Sequence, residues 1–119
     1  MSNVFATQCP LHKKGNQLLP KFDLSSTSQV GRSLRRDYGN LIWLLEPTAA
    51  PWSRGVFEKM RAGLVNFDGD RDFLLCIGNP VLMSMMAVFA GEYSNSLKFL
   101  QWSNGEYMPL IVTLEEPIA

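Results

Sequence analysis

A buried strand that leads directly into a helix is the feature that most constrains how this chain folds. Apolar residues fill the run Phe73 to Ile77, between Asp72 and Gly78. The run is too short for a helix and does not alternate with polar residues, which is typical of a strand buried on both faces. Asn79 predicts a helix N-cap, and Pro80 fits the first helical position, where its missing N–H has no partner to lose. We therefore expect a strand, a tight turn and a helix, the beginning of a parallel crossover unit.

A second apolar run and an amphipathic segment precede this unit. The run Asn40 to Leu45 ends at Glu46-Pro47, where proline cannot continue a strand ladder. From Trp52 to about Asn66, apolar residues recur at helical spacing, which predicts a surface helix. Its apolar face comprises Val56, Met60 and Leu64 with Phe57 beside them, and its polar face comprises Arg54, Glu58 and Arg61.

A hairpin is predicted at the C-terminal end. Leu97 to Trp102 has strand character, and Ser103-Asn104-Gly105 follows as the strongest short hairpin signal in the chain. Tyr107 to Leu114 then returns as the partner strand. Pro109 removes one amide donor, so we expect this last strand to lie at an edge or to contain a bulge.

The N-terminal third has weaker patterns. Residues 1–20 show no sustained period, and we predict an irregular arm there. Val30, Leu34 and Tyr38 recur at four-residue spacing before Gly39, which predicts a short helix. The predicted organisation is the arm, a single α/β domain over residues 21–114, and a tail over residues 115–119.

The order of elements predicts an α/β fold. Strands separated by helices of this length pair in parallel through right-handed crossovers. We predict three parallel strands and one antiparallel hairpin strand, with helices on both faces of the sheet. This arrangement is a small three-layer sandwich of the Rossmann-like or flavodoxin-like kind.

Composition limits the partners and the compartment. The chain has 119 residues, of which 46% are hydrophobic, enough for one domain with a core. Eleven basic and eleven acidic residues leave no net charge, so nucleic acid and anionic membranes are disfavoured as partners. Cys9 and Cys76 are too few for a disulfide framework, and Cys76 falls in the strand that we expect to be buried. A soluble protein of the cytoplasm is therefore predicted.

Several short sequence pieces resemble a viral family. They are Phe22-Asp23-Leu24-Ser25, Tyr38-Gly39, Gly78-Asn79-Pro80 and Leu100-Gln101-Trp102 with Tyr107 and Pro109. In this order they resemble small uncharacterised proteins encoded by tailed bacteriophages, over roughly residues 21–114. The resemblance implies a viral origin, and with it the host cytoplasm, but it assigns no activity and no catalytic residue.

One candidate ligand site follows from the predicted sheet. Ligands of parallel sheets bind outside the carboxyl ends of the strands, where helix N-termini converge. The residues predicted there are Glu46, Thr48, Trp52, Gly78, Asn79, Trp102 and Ser103. Amides after Asn79 would bind a carboxylate or phosphate, and a tryptophan would stack on a base, so a nucleotide or small anion is the expected ligand. Gly78-Asn79-Pro80 lacks the glycines of a dinucleotide fingerprint, and helix capping explains it equally well.

Metal and catalytic sites have weaker support. Cys9 and His12 supply two of the four ligands of a structural zinc, and His12 is the only histidine. Asp68, Asp70 and Asp72 resemble the start of a calcium loop, but its glycine and terminal glutamate are missing, so a solvated turn is favoured. We predict no metal, no cofactor and no catalytic residue, and we favour a protein that is not an enzyme.

The remaining candidates are surfaces for a partner. Arg32, Arg35 and Arg36 form the main cationic cluster, which is either a solvated helix face or a contact for phosphates or an acidic partner. Met83, Met85 and Met86 lie in a helix that is apolar on nearly every side, either as core filling or as a contact for another chain. We predict an interaction protein whose partner is another protein or a second copy, with the hairpin edge and the Met-rich helix as its surface.

Overall fold

The computed structural model of the chain describes residues 2–9, 11–14, 17–20, 38–103 and 106–114. In chain order, the elements are β1 (Asn3–Ala6), β2 (Leu11–Lys14), β3 (Gln17–Pro20), β4 (Asn40–Trp43), α1 (Val56–Gly63), β5 (Phe73–Leu75), α2 (Pro80–Tyr93), β6 (Ser96–Ser103) and β7 (Glu106–Thr113). The side chains of β2 and β3 and of residues 102, 103 and 106 lie outside the described part.

A five-stranded, mostly parallel sheet organises the fold. Its order is β4-β1-β5-β6-β7, and β2 and β3 form a separate antiparallel pair. The pairs β4–β1, β1–β5 and β5–β6 are parallel, and β7 is antiparallel to β6. The apolar run before Gly78 therefore contains the middle strand, between two strands of the same direction. This confirms its predicted position, and it confirms the α/β class.

The prediction of an irregular arm over residues 1–20 is wrong where the structure describes it. β1 lies between β4 and β5, so the sheet has four parallel strands rather than three. Val4, Phe5 and Ala6 are all buried. Three apolar residues between Asn3 and Thr7 are too short a run to stand out in the sequence, and their partners are 37 and 69 residues away along the chain.

One row of apolar side chains crosses the whole sheet on the face that the helices cover. The strand registers place Ile42, Phe5, Leu74, Phe99 and Leu110 side by side, in that order. The first four contact a core formed with both helices, whose members include Val56, Met60 and Leu64 next to α1 and Leu82, Met86 and Phe89 of α2. Leu110, at the β7 end of the row, is 61% exposed. The two described helices therefore stop short of β7.

The opposite face of the sheet has a second core. Val4, Ala6, Leu75 and Leu100 are fully or almost fully buried there, and Tyr38 packs against them. Val4 and Phe5 point to opposite faces, as successive strand residues do. Both described helices pack on the first face. The helix predicted from Val30 to Tyr38 lies outside the described residues except for its last position, so the third layer stays a prediction.

Two element boundaries differ from the sequence prediction. α1 begins at Val56 rather than near Trp52, because Gly55 adopts a left-handed conformation (φ 80°) and residues 50–55 form turns. Its predicted buried face is confirmed, whereas Phe57 is largely exposed. β5 ends at Leu75, and Cys76, which was expected to be buried, is exposed. The chain turns toward Gly78 at this point, so Cys76 lies beyond the part of the strand that is covered on both faces.

The predicted C-terminal hairpin is present. Ser103 pairs with Glu106, which leaves a two-residue connection, and Pro109 lies opposite Leu100. In the described part of the chain, β7 has a neighbouring strand only on its β6 side. Pro109 thus lies on an edge strand, where a missing N–H is tolerated.

Candidate functional site

The loops at the carboxyl ends of β1 and β4 are joined by the side chain of Gln8. Its Nε2 lies 3.1 Å from the carbonyl oxygen of Glu46, 3.0 Å from that of Pro47 and 2.9 Å from that of Ala49. Gln8 is buried, and these carbonyls use its amide hydrogens. Gln8 therefore sets the conformation of residues 46–49, a role that the sequence analysis missed because it did not recognise β1.

Thr7 lies at the neighbouring junction, where the loops that follow β1 and β5 meet. Its buried Oγ1 donates to the carbonyl of Ile77 at 3.2 Å. Gly78 has φ 97°, and a Cβ added there would lie 3.0 Å from Thr7 Oγ1. Only glycine fits both the backbone conformation and the space. This junction is a packed contact between two loops and not an open crevice.

The predicted ligand-site residues are not all brought together. Glu46 and Thr48 line a cavity of about 230 Å³ beside the start of α1, together with Arg54 and Lys59. Lys59 Nζ lies 3.7 Å from Glu46 Oε1. Gly78 and Asn79 do not line this cavity, since β1 lies between the strands that lead to the two places.

The tryptophans and Ser103 complete the predicted set. Trp52 is 86% exposed and does not line the cavity. Trp102 and Ser103 end β6, on the far side of β5 from the cavity, and their side chains lie outside the described part. Of the predicted residues, the 230 Å³ cavity thus contains Glu46 and Thr48.

Asn79 acts as a helix cap. Its Oδ1 accepts from the amides of Val81 (2.9 Å) and Leu82 (3.2 Å), and its carbonyl accepts from Met83 N at 2.9 Å. Pro80 has no amide hydrogen. The first amides of α2, which an anion would need, are therefore already bonded to Asn79.

The aspartates before β5 form a turn. Asp68 Oδ1 accepts from the amide of Asp70 at 3.0 Å, and the buried Asp72 accepts from the amides of Asn3 and Asp68, each at 2.9 Å. Cys9 is buried, and the side chain of His12 lies outside the described part. Within the described residues, no three His, Cys, Asp or Glu side chains are close enough to hold a metal ion.

An apolar surface runs along β7 and onto α2. The most exposed large apolar residues of this region are Val88, Met108, Leu110, Ile111, Val112 and Leu114. Residues 108, 110 and 112 pair with residues 101, 99 and 97 of β6, so they lie on the helix-covered face of the sheet. Leu114 continues that row. Because this face has no helix above it at β7 among the described residues, apolar side chains remain in solvent there.

A groove joins the two parts of this surface. It has a volume of about 420 Å³ and is lined by Ala87, Val88, Gly91 and Glu92 of α2 and by Leu97 and Leu114. Gly91 keeps this space open, since a Cβ at that position would lie 3.1 Å from Leu114 Cδ1. We call the surface formed by Val88, Gly91, Met108, Leu110, Val112 and Leu114 the β7 surface.

The methionines of α2 divide between core and surface. Met86 is 1% exposed and packs in the core, so the structure does not support its predicted place in a partner contact. Met86 lies one turn from Leu82 and one turn from Ala90, on the buried face of α2. Met83 and Met85 are half-buried. Arg32, Arg35 and Arg36 lie outside the described residues.

Comparisons with known proteins place the chain in a family. Within the described part of the chain, no helix has the length and apolar character needed to span a bilayer. No curated protein and no solved structure matches the sequence. Residues 2–114 match the family described as Phage Pam3 gp32-like protein, which includes β1 as well as the region that resembled phage proteins. The chain therefore belongs to the Phage Pam3 gp32-like protein family.

Proposed function

We propose that the chain is a phage-encoded, non-enzymatic interaction protein that works in the host cytoplasm through protein–protein contacts of the β7 surface. The observation that supports this is the row of apolar side chains that extends to Leu110 without a described helix above its end. Monomeric proteins rarely keep a contiguous apolar patch next to an open strand edge in water, because both invite association.

Site-specific photo-cross-linking tests this proposal. A benzophenone amino acid replaces Leu110 in one variant and Val65 in a control, since the two residues are 61% and 57% exposed. Both variants are expressed during phage infection and irradiated, and the adducts are identified by mass spectrometry. We expect a discrete protein adduct from position 110 and none from position 65. The proposal is wrong if position 110 gives no adduct, or if both positions give the same adducts.

A nucleotide or small anion bound at the carboxyl ends of the strands is the second candidate. The 230 Å³ cavity favours it, because Arg54, Lys59 and the Thr48 hydroxyl meet there beside the start of α1. That helix has no side-chain cap. Its first amides and the two cations suit a phosphate or a carboxylate better than an apolar ligand.

A thermal-shift series with nucleotides and inorganic phosphate tests this candidate. A ligand that binds only the native state must raise the melting temperature. Loss of the shift in Arg54→Ala would assign it to the cavity, and loss in Asn79→Ala would assign it to the start of α2. If no nucleotide or phosphate raises the melting temperature of the unmodified chain, the second candidate is wrong.

A further inference from the structure

We propose that β7 pairs antiparallel with β7 of a second copy of this chain, about a two-fold axis that passes through Ile111. The two five-stranded sheets would then form one continuous sheet. The inference rests on the proposed function, since it names the occupant of the β7 surface.

The backbone of β7 directs every second residue away from β6. The amide of Leu114 donates to the carbonyl of Asn95 at 2.6 Å, so the even-numbered residues of the strand bond toward β6. In an antiparallel pair, the residues between them direct their N–H and C=O to the other side. Ile111 and Thr113 therefore present their backbone groups at the open edge.

Pro109 disfavours one register for the pairing of two copies. A two-fold axis at Ile111 gives a reciprocal pair of hydrogen bonds between the two Ile111 residues. It also lets each Thr113 amide donate to the carbonyl of Pro109 in the other copy. An axis at Pro109 would place two prolines opposite each other, where neither has an N–H to donate. The register centred on Ile111 is therefore favoured over the one centred on Pro109.

The same register matches apolar side chains across the axis. Residues opposite each other then have numbers symmetric about 111, so Leu110 faces Val112 and Met108 faces Leu114. All four lie on the face of the sheet on which the described helices pack, and all are partly exposed in the single chain. Leu114 borders the 420 Å³ groove, so Met108 of the second copy lies at its entrance. Methionine suits this position, because its flexible side chain adapts to irregular space.

Charge and area agree with a second copy as the occupant. From Tyr107 to Leu114 the sequence has no charged residue, so the two-fold axis brings no like charges together within the strand. The exposed apolar side chains amount to an area on the order of 500 Å² in each copy. A total on the order of 1,000 Å² lies at the lower limit of specific interfaces, which predicts a weak, reversible dimer.

Charge-swapped variants test the two-fold axis directly. Ile111 is 62% exposed, so Ile111→Lys and Ile111→Glu leave the core intact. Sedimentation equilibrium over a concentration series compares the unmodified chain, each variant and an equimolar mixture of the two. Val65→Lys, at a residue of similar exposure outside β7, is the control. Circular dichroism confirms that all variants fold.

We expect the unmodified chain and Val65→Lys to dimerise with increasing concentration. Each Ile111 variant should weaken the dimer by about 100-fold or more, because two like charges meet at the axis. The mixture should dimerise again, since lysine then faces glutamate. A mixture that stays monomeric, or an unmodified chain that is monomeric up to millimolar concentration, overturns the inference. If the chain is monomeric but position 110 still cross-links to a different protein, the second copy is wrong and the proposed function stands.

Discussion

At the scale of single residues, Asp72 shows how a polar side chain can be part of the core. It is fully buried, and its carboxylate accepts from the amides of Asn3 and Asp68, each at 2.9 Å. Arg71 Nε lies 3.4 Å from Oδ1. Asp72 thereby connects the start of β1 to the turn before β5. The sequence pattern predicts a solvated acidic turn for this residue, because its partner Asn3 is 69 residues away.

Replacement of Asp72 should destabilise the fold strongly. In Asp72→Ala the amides of Asn3 and Asp68 lose their buried acceptor, and we expect the free energy of unfolding to fall by roughly 2–4 kcal/mol. The matched control is Asp70→Ala, an exposed neighbour whose removal should change stability by less than about 0.5 kcal/mol. Urea denaturation followed by fluorescence measures both. Equal effects of the two substitutions would contradict a structural role for the Asp72 carboxylate.

The two cysteines should differ in reactivity. Cys76 is exposed and Cys9 is buried. Partial burial raises the pKa of the Cys76 thiol, so its reactive thiolate is scarcer at neutral pH than for an ordinary thiol. We expect iodoacetamide to label Cys76 alone, slowly at pH 7 and about ten times faster for each pH unit until that raised pKa is reached. Intact-mass spectrometry follows the reaction. Rapid labelling at pH 7, or labelling of Cys9 in the native protein, would be inconsistent with this environment.

At the scale of elements, α2 was the most predictable part of the chain. Its start at Pro80, its Asn79 cap and its apolar character all follow from local rules, and the structure confirms them. What the sequence left open was which side of an almost wholly apolar helix is buried. The sheet decides this by covering Leu82, Met86, Phe89 and Ala90. Val88 stays 65% exposed, because the helix lies away from β7 on that side.

Two methionines of α2 test this division. Met86→Ala should lower the free energy of unfolding by about 2–5 kcal/mol, because it leaves a cavity in the core. Met83→Ala, on a half-buried side chain in the same helix, should cost less than about 1 kcal/mol. Thermal and urea unfolding of the two variants provide the comparison. A larger loss of stability in Met83→Ala than in Met86→Ala would mean that α2 buries a different face.

At the scale of the whole molecule, the insertion of β1 between β4 and β5 determines the candidate site. Sequence reasoning placed Glu46, Thr48, Gly78 and Asn79 at one edge of the sheet, and this much is confirmed, since all follow the carboxyl ends of parallel strands. It could not predict that Thr7 and Gln8 would lie between the two pairs. Parallel pairing joins segments that are distant in the chain, and no local pattern in residues 3–6 specifies their neighbours.

Hydrogen exchange should reveal the central position of β1. The strands β1 and β5 have a neighbouring strand on each side and lie between two cores. Their amide hydrogen bonds therefore break only when most of the fold unfolds. At low protein concentration, we expect the amides of Phe5 and Leu74 to exchange at least about 100-fold more slowly than those of Ile111 and Thr113. Exchange followed by two-dimensional NMR measures this. Fast exchange throughout β1 would refute its place in the middle of the sheet.

Local patterns were enough to predict the strand before Gly78, the cap at Asn79, the helix from Pro80 and the hairpin, with Pro109 at an edge or in a bulge. Each of these depends on residues within a few positions of one another, where propensity and backbone geometry decide. The neighbours of each strand, the buried side of α2 and the end of the described helix layer before β7 depend instead on contacts between distant segments. The β7 surface exists because the two described helices do not cover all five strands of the face on which they pack.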